Sequence, residues 1–211
     1  MHPGDCPGWE YKNHANYGFL PARCKAILVA QRNGGINVDK AVHDTRPHHR
    51  EMFTGITPDK CEYFAGAYRG ENFRCLRYYE VRISSDPRVG VPPEFVLSDL
   101  SNLSVHIIRA GFAALDVAFK IPHARLSPGD KLYFLVSFAC HVLVEFLRIH
   151  PYANGNGHMG RFIVWMIISK FGYWPARWPL NQSPPYHKLI SDYRDGVCQP
   201  LEEFVLKSVT G

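Results

Sequence analysis

The sequence His150-Pro151-Tyr152-Ala153-Asn154-Gly155-Asn156-Gly157-His158-Met159-Gly160-Arg161 joins two strongly apolar segments of the chain. Its glycines at 155 and 157 permit positive φ on both sides of Asn156, so successive backbone N–H groups can point inward and bind an anion. The stretch opens into the second apolar segment, and the free N–H groups and positive dipole at the start of a helix favour phosphate. We therefore predict an anion-binding loop over residues 150–161 between two core helices.

Two side chains at the ends of this loop add chemistry to the anion site. Histidine has an unperturbed pKa of about 6.5, so His150 suits a general base at neutral pH. Arg161 lies about one helical turn beyond the glycines and can fork onto phosphate oxygens. An isolated Gly-Asn-Gly is typical of a plain turn between helices. The fixed offsets of His150, the glycines and Arg161 between two core segments favour a phosphate-binding site instead.

The apolar pattern around the loop predicts a mainly α-helical fold. Apolar residues recur at three- and four-residue spacing over residues 95–119, which indicates one helix or two helices with a break. Residues 132–149 are nearly all apolar, which predicts a central buried helix. Residues 161–171 predict a second core helix after the loop, and residues 186–194 and 200–207 predict a closing helical pair.

The N-terminal part of the sequence carries weaker signals. Residues 1–38 are interrupted by prolines and glycines and predict a loosely structured extension. Residues 57–66 predict a helix with Pro58 in its first turn. Between residues 38 and 57 we predict a polar surface segment. The spacing of its histidines, which Pro47 interrupts, does not fit a zinc site. The side chains concerned are His43, Asp44, His48 and His49.

A short β-hairpin is predicted between the N-terminal part and the long helices. Residues 74–83 are rich in aromatic and β-branched side chains and partly alternate, which is typical of a strand. Proline and glycine residues mark a loop over residues 84–93. We predict that the strand pairs with residues around 89–91.

Composition limits the functional classes. The chain has 211 residues, of which 46% are hydrophobic and 20% are charged, which indicates one well-buried domain and argues against disorder. The formal net charge of +5 is compatible with a nucleotide ligand, and no motif indicates nucleic-acid recognition. We expect no membrane partner, because no apolar stretch approaches the roughly 20 residues that a membrane-spanning helix needs.

The cysteines and the first residues bear on location. The six cysteines are scattered without a Cys-x-x-Cys pair, and a chain this long and apolar does not need disulfides. We therefore expect six reduced thiols in a cytoplasmic setting. The first residues lack a basic region followed by an apolar one, so no signal peptide is expected.

The loop resembles the Fic motif, which is usually written H-P-F-x-(D/E)-G-N-G-R-x-x-R. Six positions match outright and Tyr152 is an aromatic substitute for the phenylalanine; the six are His150, Pro151, Gly155, Asn156, Gly157 and Arg161. Asn154 stands where an acidic residue is usual, and His158 stands where the first arginine is usual. The resemblance extends over about residues 40–205. It implies a Fic domain over residues 39–211, with a helical core and a small β-hairpin called the flap at about residues 70–93.

The resemblance implies an AMPylator-like transferase, which moves AMP from ATP to a Ser, Thr or Tyr hydroxyl of a target protein. His150 is then the general base. The residues implied to bind the nucleotide phosphates are Gly155, Asn156, Gly157, His158 and Arg161. Asn154 takes the place of the acidic ligand for Mg²⁺ and supplies an oxygen without the charge that Mg²⁺ prefers. Doc-type kinases of this fold carry Lys at the position of Gly157, so Gly157 favours nucleotidyl over phosphoryl transfer.

The departures at Asn154 and His158 leave two alternatives open. One is a Fic protein that uses another nucleotide or a phosphate-diester donor. The other is a degenerate binder of nucleotide or partner without efficient catalysis.

The resemblance also implies partners and a place. The flap is expected to dock the target protein, through Arg77, Tyr78, Tyr79, Glu80 and Val81. Many family members carry an inhibitory motif with a glutamate four residues after Ser or Thr, and no glutamate of this chain has that spacing. Either the enzyme has no such restraint, or a separate antitoxin-like chain supplies the glutamate, as in toxin-like systems. The expected location is the bacterial cytoplasm, or the host cytosol for a secreted effector.

Overall fold

The fold is mainly α-helical, as the sequence predicts. The computed structural model describes residues 6–83, 86–174 and 186–210, and these residues contain helices and turns but no β-strand. The chain divides into two compact units. The first comprises Met1–Ser101 and Leu147–Met159, and the second comprises Asn102–Phe146 and Gly160–Gly211.

The first unit begins with short elements. Its helices are α1 (Leu20–Arg32), α2 (Val38–His43) and α3 (Arg46–Phe53), with 3₁₀ turns at Tyr11–Asn13, Ala15–Phe19 and Glu62–Phe64. The Asn37 side chain caps α2 by accepting from the Lys40 N–H at 3.0 Å, and Pro47 lies in the first turn of α3. The helix predicted over residues 57–66 is wrong. Positive φ at Lys60 and Gly66 limits regular structure there to the Glu62–Phe64 turn.

Aromatic side chains from distant parts of the sequence form the core of the first unit. Phe53 and Phe64 are completely buried, and the Trp9 ring packs against them at centroid distances of 5.4 and 5.7 Å. Leu20 and Ile27 of α1 are buried as well. Residues 9–32 thus supply core side chains to this unit. The predicted domain boundary at residue 38 stays a prediction.

The segment predicted as the flap is irregular. The described part of residues 70–93 forms turns and extended backbone, so the β-hairpin and the strand over residues 74–83 are not found. Its two arms still lie side by side. A Cβ added at Gly90 would collide with the Val81 carbonyl oxygen. The Gly90 N–H donates to the Arg148 carbonyl at 2.9 Å, so this arm is fixed to the loop end of a long helix rather than to a partner strand.

A disulfide joins Cys6 to Cys75 across 69 residues of sequence. The expectation of six reduced thiols is therefore wrong for this pair. The other four cysteines form no disulfide, namely Cys24, Cys61, Cys140 and Cys198. The cross-link attaches the start of the chain to the flap segment, and the predicted cytoplasmic location stays a prediction.

Reduction of this disulfide is expected to lower the free energy of unfolding by about 2–4 kcal/mol, because opening a long loop restores entropy to the unfolded chain. Urea unfolding with and without a thiol reductant measures the difference. A Cys6→Ser, Cys75→Ser double variant is the control, and its stability should not respond to reductant. Equal stability of the oxidised and reduced wild type would contradict the expectation.

Long apolar helices build the second unit and lead into and out of it. A continuous helical run spans Pro93–Lys120, as α4 (Pro93–Asn102), a π-helical turn (Leu103–Ile108) and α5 (Arg109–Lys120). It is followed by α6 (Pro128–Ile149), α7 (Asn156–Lys170), α8 (Tyr186–Arg194) and α9 (Gln199–Thr210). The predicted core helices before and after the loop and the closing pair are therefore confirmed, with α6 and α7 each beginning a few residues earlier than predicted.

Local chemistry explains two features of the second unit. Ser127 and Asp130 start α6 as a capping pair, because the Ser127 hydroxyl accepts from the Asp130 N–H at 3.1 Å and donates to its carboxylate at 2.6 Å. The buried Glu202 carboxylate attaches α9 to α6 by accepting from the Tyr133 hydroxyl at 2.7 Å and the Ser137 hydroxyl at 2.6 Å.

Two helical stretches have the length and apolar composition of a membrane span, namely Pro93–Lys120 and α6. The statement that no apolar stretch approaches span length is therefore wrong. The most apolar window of α6 is 56% buried inside the protein, and that of Pro93–Lys120 is 22% buried. Core helices of soluble proteins meet the same criteria, so the expected absence of a membrane partner stays a prediction.

Candidate active site

His150 lies immediately after the last residue of α6 and has an unusual backbone. Its φ is +55°, in the left-handed region that few residues other than glycine adopt. Its Nδ1 lies 3.3 Å from the Leu147 carbonyl oxygen, which can only accept, so Nδ1 carries the proton. In the neutral ring Nε2 then holds the lone pair. This arrangement orients Nε2 as the proton acceptor that a general base needs.

Asn156 closes the loop on itself. Its side chain is buried, accepts from the Tyr152 N–H at 2.9 Å and donates to the Tyr152 carbonyl at 2.9 Å. The side chain therefore shapes the loop. α7 begins at Asn156, so the N–H groups of its first turn face the end of the loop and favour an anion.

The two loop glycines have different roles. Gly155 has φ +81°, and an added Cβ would lie 2.5 Å from Phe53 Cε2 and 3.0 Å from His49 Nε2. Only glycine fits there, both by conformation and by space. Gly157 lies within the first turn of α7 and has no positive φ, so the prediction of positive φ on both sides of Asn156 is wrong for it.

Tyr152 anchors the loop in the core. The side chain is completely buried, and its hydroxyl lies 2.6 Å from the Thr45 hydroxyl. Burial raises the pKa of Tyr152 well above its ordinary value, so the phenol stays neutral. Its ring stacks on His49 at a centroid distance of 3.7 Å and an interplanar angle of 3°.

His49 is a buried, neutral support for the loop. It is completely inaccessible to solvent, so its predicted place in a polar surface segment is wrong. The Gly66 N–H donates to its Nδ1 at 3.0 Å, which leaves Nε2–H to donate to the Asn154 carbonyl at 3.0 Å. Burial lowers the pKa of His49 to about 3. Both ring nitrogens are thus used, and the neutral tautomer is fixed by its two partners.

The Asn154 side chain binds protein backbone. Its Nδ2 donates to the Trp9 carbonyl at 2.6 Å, and its Oδ1 accepts from the Gly155 N–H at 2.7 Å. Trp9 is held in turn, because its Nε1 donates to the Ile56 carbonyl at 2.9 Å. Asn154 therefore connects the N-terminal segment to the loop. An aspartate could not make the bond to Trp9, because a carboxylate has no hydrogen to donate.

Mg²⁺ does not fit the side chains of this loop as they stand. The one oxygen that Asn154 offers already accepts a hydrogen bond from Gly155, and the residue carries no negative charge. Across residues 6–83, 86–174 and 186–210, no group of three or more His, Cys, Asp or Glu side chains is placed to hold a metal ion. We therefore derive no reaction step through a metal held by Asn154.

Replacing Asn154 by aspartate is expected to lower the free energy of unfolding by about 1–3 kcal/mol, because a carboxylate would face the Trp9 carbonyl without a hydrogen between them. Urea unfolding at pH 7.5 measures the loss. Asn16→Asp is the matched control, since the Asn16 amide also donates to a carbonyl, that of Gly55 at 3.2 Å, but in an exposed position. Equal changes in both variants would show that the Trp9 bond has no special importance.

His158 and Arg161 lie along α7. The His158 ring contacts Tyr11 and Phe53 at centroid distances of 5.8 and 5.9 Å, within the first unit. Arg161 lies in the second turn of α7 and belongs to the second unit. Of the predicted site residues, the first unit contains His150, Asn154 to Gly157 and His158, whereas Arg161 belongs to the second unit.

Residues 92–168 match the model of the Fic/DOC family. Over these residues, more than a third of the chain, the protein is similar to the Fic/DOC family. Curated proteins similar to it include the protein adenylyltransferase Fic of Drosophila persimilis and of Drosophila melanogaster, each 26% identical over 70 residues. Those residues are 33% of this chain and 14% of each relative. The matched segment thus spans about a seventh of the length of the curated relatives.

The family match includes the whole Fic loop but almost none of the flap. Residues 92–168 contain α6, His150 and Arg161, whereas the candidate docking residues 77–81 precede the match. Arg77, Tyr78 and Glu80 are exposed, with Tyr78 64% accessible, while Tyr79 and Val81 are half-buried. The Tyr79 ring packs on the buried Phe64 at a centroid distance of 5.6 Å, which attaches the flap to the core of the first unit.

Two residues that support the Fic loop carry no local sequence signal. His49 lies in a polar stretch, and its partners are 17 and 105 residues away. Arg69 is completely buried and donates to the carbonyls of Ile149 and His150. These partners lie 80 and 81 positions further along the chain.

Proposed function

We propose that this Fic protein is a protein nucleotidyltransferase that transfers AMP from ATP to a Ser, Thr or Tyr hydroxyl of a target protein. The observation that carries the proposal is the geometry of His150. Its Nδ1–H donates to the Leu147 carbonyl, so the lone pair of the neutral ring is on Nε2, beside a loop that ends in the first turn of α7.

The reaction follows from that arrangement. His150 Nε2 takes the proton of the target hydroxyl, and the hydroxyl oxygen attacks the α-phosphorus of ATP in line. The bond from the α-phosphorus to the oxygen that bridges to the β-phosphate breaks, and pyrophosphate leaves. The products are an AMP phosphodiester on the target and an imidazolium at His150, which returns its proton to solvent.

The phosphate end of the site is the start of α7. Its first-turn N–H groups and the positive end of its dipole stabilise the negative charge that develops on the α-phosphate oxygens. His158 adds a ring N–H donor. Gly155 has positive φ immediately before α7, where a side chain would collide with Phe53.

A second candidate function is supported by Asn154. Its side chain is held by Trp9 and Gly155, and it offers no charge to a metal on the phosphates. A Fic domain with this arrangement is suited to bind a nucleotide and transfer it slowly, or to use another nucleotide or phosphate-diester donor. Retention of His150 favours the transferase, since a binding module has no need of a base.

The proposed partners follow from the transferase. The exposed flap residues Arg77, Tyr78 and Glu80 are proposed to dock the target protein. A separate antitoxin-like chain is proposed to supply the inhibitory glutamate, and the proposed place of action is the cytoplasm.

The test is transfer of label from nucleotides that carry it at the α-phosphate. ATP, CTP, GTP and UTP are each incubated with the protein and a host lysate, with Mg²⁺ or Mn²⁺, alongside a variant that lacks His150. Label on protein from ATP that disappears in the variant supports AMP transfer, and label from another nucleotide names a different donor. No label with nucleotide binding still measurable would replace the transferase by the binding module.

A further inference from the structure

Arg69 is a completely buried arginine whose side chain donates to four backbone carbonyl oxygens. Nε donates to His150 at 2.8 Å, and Nη1 donates to Tyr79 at 3.1 Å. Nη2 donates to Val91 at 3.0 Å and to Ile149 at 2.9 Å. The Arg69 backbone N–H donates to the Pro151 carbonyl at 2.8 Å. One residue thus binds three consecutive carbonyls at the start of the Fic loop and one carbonyl on each arm of the flap.

These bonds explain how His150 keeps its left-handed backbone. A residue other than glycine in this region loses roughly 1–2 kcal/mol relative to ordinary conformations, so neighbouring contacts must hold it there. Arg69 holds the carbonyl before His150, its own carbonyl and the one after it. The direction of the His150 Cα–Cβ bond follows from this backbone, because the positions of the backbone atoms fix Cβ.

The same guanidinium holds the flap in the absence of a β-ladder. Its bonds to Tyr79 and Val91 bridge the two arms, which stay close enough that Gly90 has no room for a Cβ beside Val81. The Arg69 guanidinium therefore holds both the two arms of the flap and the backbone of His150.

We propose that Arg69 is a positioning residue for nucleotide transfer, which sets the distance between a target chain docked on the flap and the base His150. The inference rests on the proposed function and adds to it. Arg69 touches neither nucleotide nor target in this role, and it acts through the backbone of His150 and of the two arms.

Lysine cannot replace Arg69 in this role. A guanidinium presents five N–H donors in a fixed plane, whereas an ammonium concentrates three donors on one nitrogen and cannot reach carbonyls on three separate segments. Burial lowers the pKa of Arg69 to about 10, so the side chain remains charged at neutral pH. Arg69→Lys therefore keeps the charge and removes the geometry.

The experiment compares Arg69→Lys with Arg23→Lys. Arg23 is the matched control, because it also donates to two backbone carbonyls, but these are the carbonyls of Met52 and Thr54 at the end of α3. We expect Arg69→Lys to lower transfer of α-labelled AMP by about 100-fold, the order of loss that a misplaced reacting group produces. The Kd for a non-hydrolysable ATP analogue should stay unchanged, and Arg23→Lys should retain transfer.

Hydrogen exchange supplies a readout that does not depend on catalysis. Arg69→Lys should speed amide exchange in residues 70–83, 86–93 and 149–153, while Arg23→Lys should leave those segments as in the wild type. If the wild type transfers no nucleotide, the proposed function fails, and the exchange data still decide whether Arg69 holds both segments. Unchanged exchange in Arg69→Lys overturns the proposal, as does wild-type transfer by this variant.

Gly90→Ala is the second variant if Arg69→Lys does not fold. The added Cβ would push the Val81 arm from the Val91 arm and leave the bonds of Arg69 to Ile149 and His150 in place. We expect a higher KM for the target with kcat largely retained, since only one side of the positioning is disturbed. A fall in nucleotide affinity with unchanged KM for the target would overturn the proposal.

Discussion

Replacing His150 by alanine is expected to lower nucleotide transfer by a factor of about 10²–10⁴, which is the usual contribution of a positioned general base. The Nδ1 contact to Leu147 places the ring lone pair on Nε2, the proposed acceptor of the hydroxyl proton, and alanine has no such acceptor. Single-turnover transfer of AMP from α-labelled ATP measures the loss. Binding of a non-hydrolysable ATP analogue should be retained, because the first turn of α7 is untouched.

The backbone at His150 requires a second variant. Asparagine adopts the left-handed region more readily than alanine, so His150→Asn keeps the observed φ of +55° and still lacks the base. Both variants should lose transfer to a similar degree. His141→Ala is the control, since His141 is an exposed histidine on α6, the helix that precedes His150. Full transfer by His150→Asn would show that the loop conformation matters and the imidazole does not.

The long helices could be predicted from the sequence because their signal is local. The apolar spacing over residues 95–119 and 132–149 is repeated within every turn, and the ends of the segments are marked by proline, glycine or serine. The Fic loop could also be predicted, since its chemistry lies within twelve consecutive residues. The structure adds a π-helical turn at Leu103–Ile108, which no residue type announces.

The flap could not be predicted from local propensity. Aromatic and β-branched residues at 74–83 favour a strand, but a strand exists only with a partner for its backbone. Here the Tyr79 and Val91 carbonyls bind Arg69, and the Gly90 N–H binds the Arg148 carbonyl. Side-chain and distant backbone groups thus take the places that ladder hydrogen bonds would have filled.

The supports of the site escaped prediction because each is a long-range pairing of residues that look ordinary in sequence. The Cys6–Cys75 disulfide spans 69 residues, and the Asn154–Trp9 hydrogen bond spans 145. Asn154 looked like a weakened metal ligand, and its bond to Trp9 supplies a different reason for an amide at that position. An amide donates a hydrogen that the family's acid does not have.

Acidification from pH 6.5 to pH 4 is expected to destabilise the protein by about 3 kcal/mol through His49 alone, at about 1.4 kcal/mol for each pKa unit. The unfolded chain binds a proton at His49 below its ordinary pKa of 6.5, whereas the folded protein does not until about pH 3. The contribution of His49 to stability is therefore fully present above pH 6.5 and is lost as the pH falls towards 3. Urea unfolding at pH 7.5, 6, 5 and 4, values chosen to bracket this range, measures it.

His49→Phe separates this effect from other titrations. Phenylalanine keeps a ring beside Tyr152 but leaves the Gly66 N–H and the Asn154 carbonyl without partners, at about 1–3 kcal/mol each. We expect a less stable protein at pH 7.5 whose stability then falls less steeply to pH 4. His48 also has a lowered pKa through burial, so part of the slope remains in the variant.

The pH window decides which groups are measured. The pKa of Asp44 is also lowered, with hydrogen bonds and charge from Arg46 opposing the effect of burial, so its contribution is lost only as the pH falls below about 3.8, the ordinary value. Above pH 4 the difference between wild type and His49→Phe therefore reports His49. His123→Phe is the control for the exchange of histidine for phenylalanine, since His123 is exposed. Parallel curves for wild type and His49→Phe would mean that His49 is protonated in the folded protein, and the two hydrogen bonds that fix the Fic loop through its neutral ring would then be wrongly assigned.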